Sequence, residues 1–176
     1  IPRYLTDGAK GLDLGTCIAN LPAGTLTFYA SNIKPAAIGD GRPDIIVTQI
    51  ADPTGNSFDR YEFIDENGNR VGNYKDITFT SISPVANWVA DFYEAKNNPM
   101  NLVGGYTQTE RPVRLWAADL SEFGITSSNF SSVNNFRINL CGNSDVAFVA
   151  YNHLSMNITN VLPVQLSYFK GAVQND

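Results

Sequence analysis

The sequence predicts an all-β fold: a two-sheet antiparallel β-sandwich, wound as a jelly roll. Three observations carry that prediction. Apolar residues recur at every second position in most segments, the spacing of a half-buried strand. Turn chemistry rich in Gly, Pro and Asn interrupts these segments roughly every 8–12 residues, as in sandwiches and barrels. No stretch sustains the 3.6-residue periodicity of a long helix. The chain of 176 residues is long enough for one domain with a substantial core and short for two.

The elements follow in order. In 25–30, Leu26, Phe28 and Ala30 share a face. The run Ile45-Ile46-Val47-Thr48-Gln49-Ile50 is dense in β-branched residues and reads as a central strand covered on both faces. Asp65-Glu66-Asn67-Gly68-Asn69 is a hairpin turn, expected to be type I′, joining a strand that ends near Ile64 to one that starts near Val71. Trp88, Ala90 and Phe92 form the next alternating set, and Val113, Leu115 and Ala117 are read as the inward set after it. The segment 118–123 is the one candidate for a helical turn. Phe136, Ile138 and Leu140 alternate again, and 146–151 and 164–169 resemble 45–50 in density. Residues 1–161 are assigned to the sandwich. Residues 162–176 are assigned to a last strand or a linker to a further domain.

Charged residues make up only 16% of the chain, and its formal charge is -5. No Lys/Arg cluster offers a footprint for phosphates, so nucleic acid is not an expected partner. No apolar run approaches the roughly 18 residues of a membrane-spanning helix, so no membrane insertion is expected. The chain opens on Ile1-Pro2-Arg3 without a signal-peptide pattern, as expected of a processed protein or an excised domain.

Several residues are candidates for chemistry. Asp40-Gly41-Arg42-Pro43-Asp44 places two carboxylates across a Gly/Pro turn, where backbone carbonyls are free to join them. Calcium takes six to eight oxygens of this kind. Asp40 and Asp44 are therefore candidate ligands of a structural calcium ion, with Asp7 and Asp13 beside them and Asp52 and Asp145 as further acids. The simpler reading has Asp40 capping the turn and Asp44 solvated at the start of the strand. The 65–69 turn echoes an EF-hand loop but lacks its twelfth-position Glu, and reads as a plain hairpin. Glycan binding needs exposed aromatic faces beside polar groups. Trp116 is out of phase with Val113, Leu115 and Ala117, and Tyr93 is out of phase with Trp88, Ala90 and Phe92. With Arg114 and the loop residue Tyr106, they form the candidate ligand-binding set.

Catalysis has little support. His153 is the only histidine, and no Gly-x-Ser-x-Gly elbow accompanies it. Zinc chemistry would need more His and Cys ligands than the chain holds. Glu62, Glu94, Glu110 and Glu122 stand in no recognisable acid/base setting. The sequons at Asn129 and Asn157 read as chance matches in an Asn-rich chain. Cys17 and Cys141 allow either one long-range disulfide or two separate thiols.

The stretches "YLTDGAKGLDLGTCIANLPAG", "IGDGRPDIIVTQIADPTG", "FIDENGNRVGN", "GNSDVAFVAYN" and "LPVQLSYFKG" together resemble a recurrent domain. It belongs to large cell-surface proteins that gliding-type bacteria export through the type IX secretion system. The closing block resembles the segment that precedes a carboxy-terminal sorting domain in such proteins. The resemblance implies an extracellular, non-catalytic β-sandwich, an adhesin-like or accessory module. It supplies no catalytic residues. It also implies small residues where this chain has Cys17 and Cys141, so a bridge there would be particular to this chain. The expected function is surface adhesion or glycan binding, with surface glycans or other envelope proteins as partners. A structural spacer or docking module is the alternative, and a glycoside hydrolase or esterase a more distant one.

Overall fold

The computed structural model describes residues 14–50, 58–94 and 109–160. Ten strands follow in chain order: β1 (Leu14–Ala19), β2 (Gly24–Ser31), β3 (Ile45–Ile50), β4 (Asp59–Ile64), β5 (Arg70–Ile77), β6 (Ala86–Glu94), β7 (Thr109–Ala118), β8 (Asn135–Leu140), β9 (Val146–Tyr151) and β10 (Asn157–Asn160). They form two five-stranded sheets, ordered β1-β6-β7-β3-β9 and β10-β2-β8-β4-β5. The fold is all-β, as the alternation predicts. The pairs β4–β5, β3–β7 and β2–β8 nest one inside the next, and all are antiparallel. An antiparallel bridge between Leu21 and Ser144 adds an outer pair. Together these pairs form one nested series. The parallel β1–β6 ladder stands outside it and makes the first sheet mixed.

The strands form where alternation and β-branching favour a pleated surface. β8 shows it most simply: Phe136, Ile138 and Leu140 are buried, while Asn135, Arg137 and Asn139 face outward. Phe63, Phe123 and Phe136 meet at ring distances of 5.1–6.2 Å. Tyr61, Ile45, Val47, Ile138 and Met156 pack around them without solvent contact of consequence. Each such side chain contributes roughly 1.5–3 kcal/mol through burial. β3 is central, between β7 and β9, and buried along nearly its whole length. β9, read from sequence as central, is the last strand in its sheet's order. The segment 164–169 lies outside the described residues.

One phase is the reverse of the sequence expectation. Val47 faces Trp116 and Ile45 faces Ala118 across the β3–β7 ladder, and these four residues point into the interior. Leu115 is 40% exposed. The period of two is right and the assignment of faces is wrong. Arg114 made its set look outward, but Arg114 lies toward the rim, where its Nε donates to the Ile82 carbonyl at 3.0 Å. Val113 is buried yet lies outside the main core cluster.

The hairpin between β4 and β5 falls where predicted, with a different turn. Only Gly68 takes a positive φ, 81°, so the corner is a type I turn closed by a left-handed glycine, not type I′. A bulge in β5 then places Gly72, φ 74°, against the loop after β7. A Cβ at position 72 would run into the carbonyl oxygen of Phe123. That loop holds the expected helical turn, a short 3-10 segment at Leu120–Phe123, with Gly124 in the left-handed conformation as its C-cap.

Candidate functional site

Two places gather polar side chains across long sequence separations. The first is the outer face of β2-β8-β4-β5. Cross-strand register builds it in rows. Thr27, Arg137, Glu62 and Tyr74 lie in one row, and Thr25, Asn139, Arg60 and Asp76 in the next. Tyr29, Asn135 and Arg70 flank Ile64 in a third. Four strands at the usual spacing make a face about 14 Å wide. Its charges are tied down. Arg60 grips Asp76 with two bonds of 2.7 and 2.8 Å and stacks 3.7 Å above the Tyr74 ring. Arg137 bonds Glu62 Oε1 through Nε at 2.9 Å, and Asn139 donates to the same oxygen at 2.7 Å. Arg70, exposed, lies 5.0 Å from the Tyr74 ring centre. Tyr29 and Tyr74 are each about two-fifths exposed. The outcome is a surface that sets amides, guanidinium groups and aromatic rings side by side in register.

The second place is a junction of three loops at one end of the sandwich. Asp44, at the head of β3, is 1% exposed. Its Oδ2 accepts from the Leu120 N–H at 2.9 Å, while its backbone bonds Ala118 and Asn152. Asp119 is 8% exposed. Its Oδ1 accepts from Gly39 N at 2.9 Å and Ser121 N at 2.7 Å. Glu122 Oε1 accepts from Asp119 N in return, which completes a capping box on the 3-10 turn. Asp44 Oδ1 and Asp119 Oδ2 are buried without a hydrogen-bond partner. Burial pushes the Asp44 carboxyl above the usual carboxylate range against the pull of the Leu120 N–H and the Ser155 hydroxyl, and the nearby charges of Asp119 and Asp40 push the same way as burial. Burial also works upward on Asp119, but hydrogen bonds from Ser121 and the Gly39 and Gly41 N–H groups hold it below that range.

The candidate residues fall in different places. Trp116 is not on an outer face. Its ring lies 6.2 Å from Tyr61 and 5.9 Å from Phe123, inside the sandwich, because the phase of β7 is reversed. Arg114 is partly buried at the rim rather than beside an exposed Trp. Tyr106, Asp7, Asp13 and Asp52 lie outside the described residues, as do the side chains of Tyr93, Trp88 and Cys17. Asp40 caps its own turn from an exposed position, accepting from Arg42 N at 2.8 Å. Asp44 is not solvated. Backbone bonds on both sides draw it under the loops. Of the two readings of the cysteines, the separate thiol is the one that Cys141 follows. Cys141 is a free, exposed thiol just beyond β8, in the sheet opposite the one that holds Cys17 on β1.

Two further acids bond the backbone of loops. Asp65 spends its carboxylate on its own hairpin, bonding Asn67 N, Asn69 N and Asn69 Nδ2. Those bonds, led by the one from Asn69 N, hold it below the usual range. Asp145 accepts from Asn20 N, and burial pushes its carboxyl upward, with Glu94 and Asp59 adding to the shift. His153 is exposed in the turn after β9. Sequence reasoning missed Asp119, Glu62, Arg60, Arg70 and Arg137 as site residues. The Asp119-x-x-Glu122 spacing, a capping-box signature, was the one readable signal among them. Comparison of the chain with protein-family models, curated proteins and solved structures finds no match. No helix among the described residues is long and apolar enough to cross a membrane.

Proposed function

We propose that the protein is a non-catalytic, extracellular surface module that binds glycans on the outer face of β2-β8-β4-β5. One observation carries the reading: Arg60, Arg70 and Arg137 share this face with Tyr29, Tyr74, Asn135 and Asn139 and with only two carboxylates, Glu62 and Asp76. Three cations against two anions make a locally positive surface on a chain of formal charge -5. A planar guanidinium matches a carboxylate in two bonds, and a tyrosine ring beside it offers a flat apolar contact. That pairing suits a polysaccharide bearing uronic acids better than a neutral one. The cell-surface setting and an adhesive role rest on the resemblance to type IX-exported proteins.

Electrophoresis through gels containing polygalacturonate or dextran tests the reading. The protein should be retarded in the acidic gel, less so as salt is raised. Arg70→Ala and Tyr29→Ala should restore free migration while keeping the parent's circular dichroism spectrum. Equal migration in both gels, or variants that behave like the parent, would remove this face as a glycan site.

A further inference from the structure

The loop junction holds more buried negative charge than its hydrogen bonds answer. Asp44 and Asp119 are each more than nine-tenths buried, and each keeps one oxygen without a partner. Their other oxygens are anchored on N–H groups of adjoining loops, at Leu120 for Asp44 and at Gly39 and Ser121 for Asp119. The Ser155 hydroxyl also acts on the Asp44 carboxylate, and the Ser121 hydroxyl and Gly41 N–H on that of Asp119, but all of these donors are neutral and none supplies a positive charge. Leu120 follows Asp119 directly, so the bond from its N–H to Asp44 draws the two carboxylates together. Asp40 lies close enough for its charge to act on Asp44. An isolated buried carboxylate costs several kcal/mol unless a donor, a proton or a metal answers it.

We propose that Asp44 Oδ1 and Asp119 Oδ2 together hold a hard divalent cation, calcium by preference. The donors are all oxygen, which suits calcium or magnesium and not zinc. No three acidic, histidine or cysteine side chains converge on one point among the described residues. The site is therefore a two-carboxylate one, with loop carbonyls and water completing the six to eight oxygens calcium takes. The cation ties the loop before β3 to the loop after β7. Asp119, not Asp40, is the second carboxylate.

Thermal unfolding of the whole chain tests this directly. Melting after dialysis against chelator should occur roughly 5–10 °C below melting in saturating calcium, the shift expected near a hundred times the dissociation constant. Magnesium at the same concentration should restore less. Calorimetric titration of the stripped parent should find one calcium site. Asp44→Asn and Asp119→Asn keep the oxygen that accepts the loop N–H groups, so both should fold and lose the calcium response. The proposal is overturned if the stripped parent shows neither heat nor a melting shift up to 10 mM calcium. It is equally overturned if both Asn variants keep the parent's calcium-dependent shift.

Discussion

The two polar regions handle carboxylates in opposite ways. On the outer face of the second sheet, each acid meets a guanidinium: Asp76 holds Arg60, and Glu62 holds Arg137. At the loop junction, Asp44 and Asp119 meet backbone N–H groups and the hydroxyls of Ser155 and Ser121, with no cation among the described residues beside them, and one oxygen of each is left without a close donor. On the face both carboxylates are answered and Arg70 is left over as an exposed cation, so the Arg60 and Arg137 guanidinium planes are held before anything binds, and less ordering is left to oppose binding. The junction is electrostatically open, and its stability depends on what enters it. One region is preorganised for a partner; the other needs an ion or a proton to be complete.

Substitutions can break each side of this contrast. Gly72→Ala should have the largest effect, roughly 3 kcal/mol or more in urea unfolding, because the new Cβ collides with the Phe123 carbonyl and the residue is held at positive φ. It displaces the loop that carries Asp119 and leaves the charged face unchanged in sequence. Arg137→Ala should cost about 3 kcal/mol by leaving Glu62, itself nearly buried, without its cation. Arg137→Ala with Glu62→Gln should recover much of that loss. Failure to recover would mean that the packing of the arginine stem, and not the ion pair, holds the face.

The third test turns on pH. A carboxyl whose folded pKa is raised binds its proton more tightly in the folded state. Its contribution is fully present below the ordinary carboxylate pKa and is lost as pH rises through the folded value. In chelator, Asp44→Asn should therefore gain stability relative to the parent as pH rises above the ordinary carboxylate value of about 4, and level off once pH has passed the raised folded value. Asp119→Asn should do the reverse in a lower window, losing stability relative to the parent as pH rises toward the ordinary carboxylate value of about 4 and levelling off above it, since the folded Asp119 carboxyl lies below its usual range. Parallel pH profiles for the two variants would contradict the assigned difference.

Local chemistry made much of the fold legible. Alternation marked β2 and β8, Asn67-Gly68 marked the hairpin, and β-branched density marked both β3 and its burial. The phase of β7 was not legible. Its two faces, Val113-Leu115-Ala117 and Arg114-Trp116-Ala118, differ by one arginine, and a rim position lets that arginine share parity with the core. Neither polar region was legible as a unit. Asp44 is bonded to a residue 76 positions away, and Arg137 to one 75 away. Such pairs arise from the nested strand pairing, which periodicity does not report. Asp44 was singled out for its Gly/Pro corner, but its partner Asp119 becomes visible only when the β3–β7 ladder brings the two loops together.

The central claim is that the charged face, and not the opposite sheet, takes the ligand. Fluorescence titration with a uronate oligosaccharide measures it most directly, comparing Arg70→Ala on the charged face with Leu115→Ser on the first sheet. The account predicts at least a tenfold weaker affinity for Arg70→Ala, about 1.4 kcal/mol, and parental affinity for Leu115→Ser. Parental affinity for Arg70→Ala, or a loss confined to Leu115→Ser, would contradict it.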